Sequence, residues 1–183
     1  FPGVADALTE DLLAFLHDRL KVHLLASGIP HDVLDAALAL PNSDDLTLLT
    51  RRAEALSAFL ATPDGENLVQ LYKRAANILS QAESKDGVEY SYGADPRFFE
   101  APEEHALHAA LDEASPPIRG ALAREDFPAA MSGLAGLRAP MDAFFESVQV
   151  NSDNGILRRN RLNLLSRIRA LCLQVADLSK IEG

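Results

Sequence analysis

The chain has 183 residues, enough for one large domain or two small ones, and a folded protein of this size buries roughly 70% of its unfolded surface. Its 48% apolar fraction is rich in Leu and Ala, poor in aromatic residues (6%) and without Trp, so an all-α fold is expected over a strand-based one. A formal net charge of −10 argues against a uniformly polyanion-binding surface, a single cysteine excludes an internal disulfide, and no run of 18 apolar residues suits a membrane span.

Leu8, Leu12, Leu16, Leu20 and Leu24 recur every four residues, with Leu13 and Phe15 widening the stripe, which predicts an amphipathic helix over about 6–26, stopped by Ser27-Gly28. Pro30 suits the first turn of a second helix. Asp32 faces its dipole, and Val33, Leu34, Ala37 and Leu38 supply its buried side up to Pro41. Asn42, Ser43 and Asp44 are cap-type residues ahead of a third helix with Leu46, Leu49, Ala53, Leu56 and Leu60 at helical spacing, ending near Thr62-Pro63. A fourth begins around Asp64. Its apolar side runs from Leu68 and Tyr72 to Leu79 and Ala82, and its opposite side carries Gln70, Lys73, Arg74, Asn77 and Gln81.

Between Ser84 and Pro102 the period is lost, and Gly87, Gly93 and Pro96 punctuate a loop, expected to be mobile, that carries Tyr90 and Tyr92. Helical pattern returns at Glu103, is expected to break at Ser115-Pro116-Pro117, and resumes through Ile118 and Leu122 and again, after Glu125-Asp126, through Met131, Leu134 and Leu137. Pro140 opens a short helix with Met141, Phe144, Phe145 and Val148. After the turn cluster 150–155 a last helix is expected to run to about Ser179.

Histidine and cysteine chemistry is sparse. His17-Asp18 and His31-Asp32 are the dipeptides a metal phosphohydrolase would use, yet such a site needs further ligands, and capping accounts for them more simply. His105 and His108 share a helical face without an evident third ligand, and Cys172 lies among leucines as a small core residue. No catalytic constellation, metal site or phosphate loop is expected.

The last helix carries more information. Projected at 100° per residue, Leu157, Leu164, Ile168, Leu171, Cys172, Val175 and Leu178 form a core arc. Arg159, Asn163 and Arg167, with Asn160 at the margin, make a donor-rich stripe suited to phosphates and base edges. Arg161 projects into the apolar arc and needs an acid, for which Asp142 or Glu146 is the candidate, so it is read as a structural charge. Lys73, Arg74 and Asn77 form a second, weaker RNA-binding candidate. From Asn151 to the end six basic residues stand against three acidic ones, a local +3 that leaves −13 elsewhere, so nucleic-acid contact is expected near the C-terminal end.

Several stretches carry a resemblance: 71–79 (LYKRAANIL), 141–148 (MDAFFESV), 157–162 (LRRNRL), 175–180 (VADLSK), and the earlier 18–22 and 29–36. They resemble the β-subunit family of bacterial heterotetrameric glycyl-tRNA synthetases over almost the whole chain. The resemblance implies a helical bundle of the DALR anticodon-binding type, shared with arginyl-tRNA synthetases, over 63–183, preceded by a helical connecting segment over 1–62. It implies glycine-specific tRNA as ligand, the remainder of the β subunit and the α subunit as partners, and neither membrane nor DNA. The active site of that family lies in the α subunit, so no cofactor site is expected here. A start without Met or a signal-peptide pattern fits a piece of a longer, cytoplasmic protein. Two alternatives stand beside this reading: the homologous domain of an arginyl-tRNA synthetase, or a helical protein-interaction module without an RNA role, which the charge of −10 favours.

Overall fold

Helix caps set the boundaries of the elements. The computed structural model of the chain describes residues 2–40 and 44–182, which form eight α-helices and two 3-10 helices, with no strand among them. The first helix, α1 (Pro2–Ala26), stops at Gly28, whose φ of 91° suits a residue without Cβ. In α2 (His31–Leu38) Pro30 occupies the cap itself, one position earlier than expected. The caps expected for the third helix differ as well. Asn42 and Ser43 lie outside the described residues, Asp44 sits in a turn, and the Asp45 carboxylate accepts the amides of Thr47 and Leu48 at 3.0 Å to open α3 (Leu46–Leu60).

Thr62 caps α4 (Pro63–Asp86) through the Gly65 amide, and Gly87, at φ 65°, closes it. The fifth helix, α5 (Pro102–Ala123), runs straight through Pro116 and Pro117, where a break was expected. Both prolines and the Asp112 and Glu113 carbonyls they leave without an amide lie on the solvent side, while Leu111, Ile118 and Ala121 stay buried, so water can serve the freed groups. Asp126 caps α6 (Phe127–Ala135), and α7 (Arg138–Ser147) starts two residues before Pro140. The last helix, α8 (Gly155–Leu173), ends six residues earlier than expected. There the chain leaves the helix so that Asp177 can donate its amide to the Ala36 carbonyl of α2 at 3.1 Å, after which its carboxylate caps the 3-10 helix Leu178–Lys180.

One apolar cluster joins these helices. Leu68, Tyr72 and Leu79 of α4, Leu107 and Ile118 of α5, Met141 and Phe144 of α7, and Leu162, Leu165, Ile168 and Cys172 of α8 are fully or almost fully buried, and Val33, Ala37, Ala53 and Leu56 of α2 and α3 continue the same cluster. Burial pushes the Cys172 thiol up to about 12, as befits a core residue. The stripe of α1 behaves differently. Its Leu24 enters the core, but Leu8 and Leu12 are 69% and 56% exposed, so among its described side chains the packed ones lie toward the C-terminal end of α1. Among the described residues no helix is long and apolar enough to cross a membrane.

Candidate nucleic-acid interface

α8 is enclosed on most sides, and this determines which of its polar side chains remain available. From Asn160 to Ser166 every residue is buried, because α4 and α5 pack against one side and the 87–101 loop covers much of the rest. The expected stripe is therefore not a continuous exposed face. Arg159 is exposed and has no ion-pair partner among the described residues. Asn160 is 5% exposed, and both ends of its carboxamide are engaged: Oδ1 accepts the Asp95 amide at 2.8 Å and Nδ2 donates to the Asp95 carbonyl at 3.0 Å. Asn163 is 6% exposed and its Oδ1 has no hydrogen-bond partner. Arg167 points away from these residues, toward α5, where Asp112 holds its guanidinium.

The loop expected to be mobile is pinned at several points. Tyr90 is buried, donates its hydroxyl to Asp86 at 2.6 Å and its amide to Glu83, and so is not available to stack on a base. Asp95 binds Arg97 in a fork, which holds its carboxyl well below the usual range, at about 2. Tyr92 remains 92% exposed and Phe98 43% exposed. Between loop and helix lie two open cavities. The larger, about 620 Å³, is bounded by Gly93, Asp95, Phe98 and the first turns of α8, and the smaller, about 380 Å³, by residues 88–92; Arg159 and Asn163 line both.

Charge pairing disposes of most of the basic excess seen in the sequence. Arg158 pairs with Asp86, Arg161 with Glu104, Arg167 with Asp112 and Arg169 with Glu83. The Arg161 partner is thus Glu104 of α5, not Asp142 or Glu146, which are exposed on α7. Arg161 Nε meets Glu104 Oε1 at 2.9 Å, Nη2 meets Oε2 at 3.3 Å, and Nη1 donates to the Gln149 carbonyl at 3.0 Å. Burial raises the Glu104 carboxyl, but Arg161 and the amides of Ala101 and Glu100 outweigh it and leave it below its ordinary value.

The second candidate group lies apart from the cavities. Lys73 is half-buried and already engaged, Asn77 is exposed, and Arg74 stacks over the Phe145 ring at 4.6 Å while donating to the Phe145 carbonyl at 3.4 Å. His105 and His108 pack edge-on against Phe99, His108 also facing Asp112 at 3.3 Å. Asp32, of the second His-Asp pair, accepts the amides of Val33 and Glu182. Among the described residues no three His, Cys, Asp or Glu side chains are grouped to hold a metal ion. What sequence reasoning missed is Phe98 and the loop backbone at Asp95. Asn160 and the Asp95-Pro96 cap signal were both visible, but their contact spans 65 positions.

Residues 68–182 match the DALR anticodon binding domain family. Over 173 residues, 94% of this chain, the sequence is 68% identical to the glycine–tRNA ligase beta subunit of Cereibacter sphaeroides. It is 64% identical over 178 residues, 97% of the chain, to that of Paracoccus denitrificans, and 52% identical over 174 residues, 94% of the chain, to that of Rhodospirillum centenum. The matches cover 25%, 26% and 24% of these relatives, so the chain spans about a quarter of their length.

Proposed function

The chain belongs to the DALR anticodon-binding domain family, and from that premise we propose that it is the tRNA-binding module of a glycine–tRNA ligase β subunit, engaging the anticodon arm of the glycine-specific tRNA. In this reading it works in the cytoplasm, selects tRNA rather than DNA, and supports glycine attachment without a catalytic centre or cofactor of its own, the chemistry lying in the α subunit. The observation that carries the reading is Arg159, an exposed cation without an ion-pair partner among the described residues, at the junction of two open cavities and beside the exposed Phe98 and Tyr92 rings. A free guanidinium supplies phosphate contact, and exposed aromatics supply faces for unstacked bases. The remainder of the β subunit is the second proposed partner, supported by the exposed Leu8, Leu12 and Phe15 of α1.

Titration of glycine-specific tRNA into the wild-type chain and into Arg159→Ala and Arg167→Ala tests the reading. Arg159→Ala should weaken binding markedly. Arg167→Ala should weaken it less, because Asp112 already holds that guanidinium. Undiminished binding by Arg159→Ala would remove the observation on which the reading stands.

A further inference from the structure

We propose that the outer face of α1 is a helix-pairing seam that receives a helix from the part of the β subunit this chain does not span; the proposal rests on the β-subunit reading above. α1 is apolar on two opposite sides. On one, Leu20 and Leu24, with His17 and Lys21, close over Leu34 and Leu38 of α2 and Leu49 of α3. On the other, Leu8, Leu12, Phe15 and Val22 are 69%, 56%, 54% and 64% exposed. At about 100° per residue the two sets are centred on opposite sides of the helix, so the bundle that buries one cannot reach the other. A helix at the edge of a folded body is apolar on its inner side, whereas one apolar on both sides is suited to lie between two bodies.

The spacing specifies the occupant as a helix. Positions 8, 12, 15, 19 and 22 alternate steps of four and three residues, the register in which two helices interlock side by side, over about 21 Å of α1. One of these positions is Arg19, whose guanidinium lies 5.3 Å from the centre of the Phe15 ring. Asp11 and Asp18 flank the seam along one edge, and none of these three charges has an ion pair among the described residues. A second copy of α1 fits poorly. Paired in parallel, the two helices would set Arg19 against Arg19 inside the seam; paired antiparallel, they would set Asp18 of one copy against Asp11 or Asp18 of the other. The complement is a different helix, with an apolar facing side, an acid opposite Arg19, which burial would otherwise leave unpaired, and Lys or Arg opposite Asp11 and Asp18. The source of that helix follows from length. α1 stands outside the matched family domain, which begins at residue 68, and the matches cover only about a quarter of the β-subunit relatives, leaving three quarters of such a subunit to supply it.

The test places a photo-crosslinking phenylalanine analogue at Leu12 in the assembled synthetase, without tRNA, with isotope-labelled and unlabelled β subunits mixed. Irradiation should join position 12 to a peptide of the same β subunit outside this 183-residue stretch, one with apolar residues at three- and four-residue steps. Leu12→Gln should leave the melting temperature of this chain alone unchanged, because Leu12 is exposed in it, and should lower that of the assembled synthetase. Arg19→Glu should do the same. A crosslink to a second β subunit, to the α subunit or within this stretch, no crosslink, or equal melting shifts in the two contexts would overturn the seam. Because the crosslink is scored without RNA, its failure beside intact anticodon-arm binding leaves the tRNA-binding reading standing, and its success without tRNA binding places the fault in that reading.

Discussion

Arg161 and Glu104 show how one buried charge organises its surroundings. Glu104 has no solvent exposure, and its carboxylate accepts from the Arg161 guanidinium and from the amides of Glu100 and Ala101, each at 2.9 Å, so every group in the cluster is paired. Arg161→Ala would strand that carboxylate, and a loss of order 3 kcal/mol is expected in urea denaturation. Arg159→Ala, by contrast, removes an exposed side chain, and stability should move by no more than about 0.5 kcal/mol. The pH dependence follows from the lowered Glu104 carboxyl. A folded value below the unfolded one gives stability that is fully present above about pH 4.5 and lost as pH falls through the folded value. Urea titrations over that acid window should show a profile shallower for Glu104→Gln than for wild type, by at most about 1.4 kcal/mol per pH unit, the effect of one proton. That Arg161 is buried and needs an acid was legible from its angular position among leucines. The identity of the acid was not, because Glu104 also reads as an ordinary first-turn helix acid and lies 57 positions away.

Among the elements, the helices whose amphipathic period stayed intact were readable in order, and the departures occur where a contact distant in sequence intervenes. Prolines 116 and 117 signalled a break, but a helix with an exposed proline face continues if its buried side is well packed. The end of α8 was placed late because Val175 and Leu178 keep the helical period and are buried, although the chain there is held by Ala36 of α2 instead. The loop after α4 lacks periodicity, yet Tyr90 and the Asn160 clamp fix it. Asn160→Ala should therefore speed hydrogen exchange at the Asp95 amide while leaving the amides of α5 protected. The junction of α3 and α4 is just as constrained. A Cβ at Gly65 would lie 2.1 Å from the Phe59 carbonyl oxygen, whereas one at Gly155 meets nothing within 4 Å. Thermal or urea melts should show Gly65→Ala destabilised by about 1–3 kcal/mol and Gly155→Ala close to wild type.

For the whole molecule, a net charge of −10 leaves the proposed RNA contact to depend on locally exposed cations. Four arginines of the C-terminal segment are matched by acids of α4 and α5, which lock the bundle together and leave Arg159 as the cation at the cavities. Helix content and the family were legible in composition and motifs; which polar residues of the last helix stay open was decided by the burial of α8. Binding to tRNA should accordingly show a shallow salt dependence, and Arg159→Ala should lower the log–log slope by about 0.7 if it contacts one phosphate of single-stranded RNA. The central claim is most directly tested by footprinting glycine-specific tRNA with hydroxyl radicals in the presence of this chain. Protection confined to the anticodon arm, and lost with Arg159→Ala, is the expected result; protection confined to the acceptor stem, or none at concentrations where the chain is folded, would contradict the account.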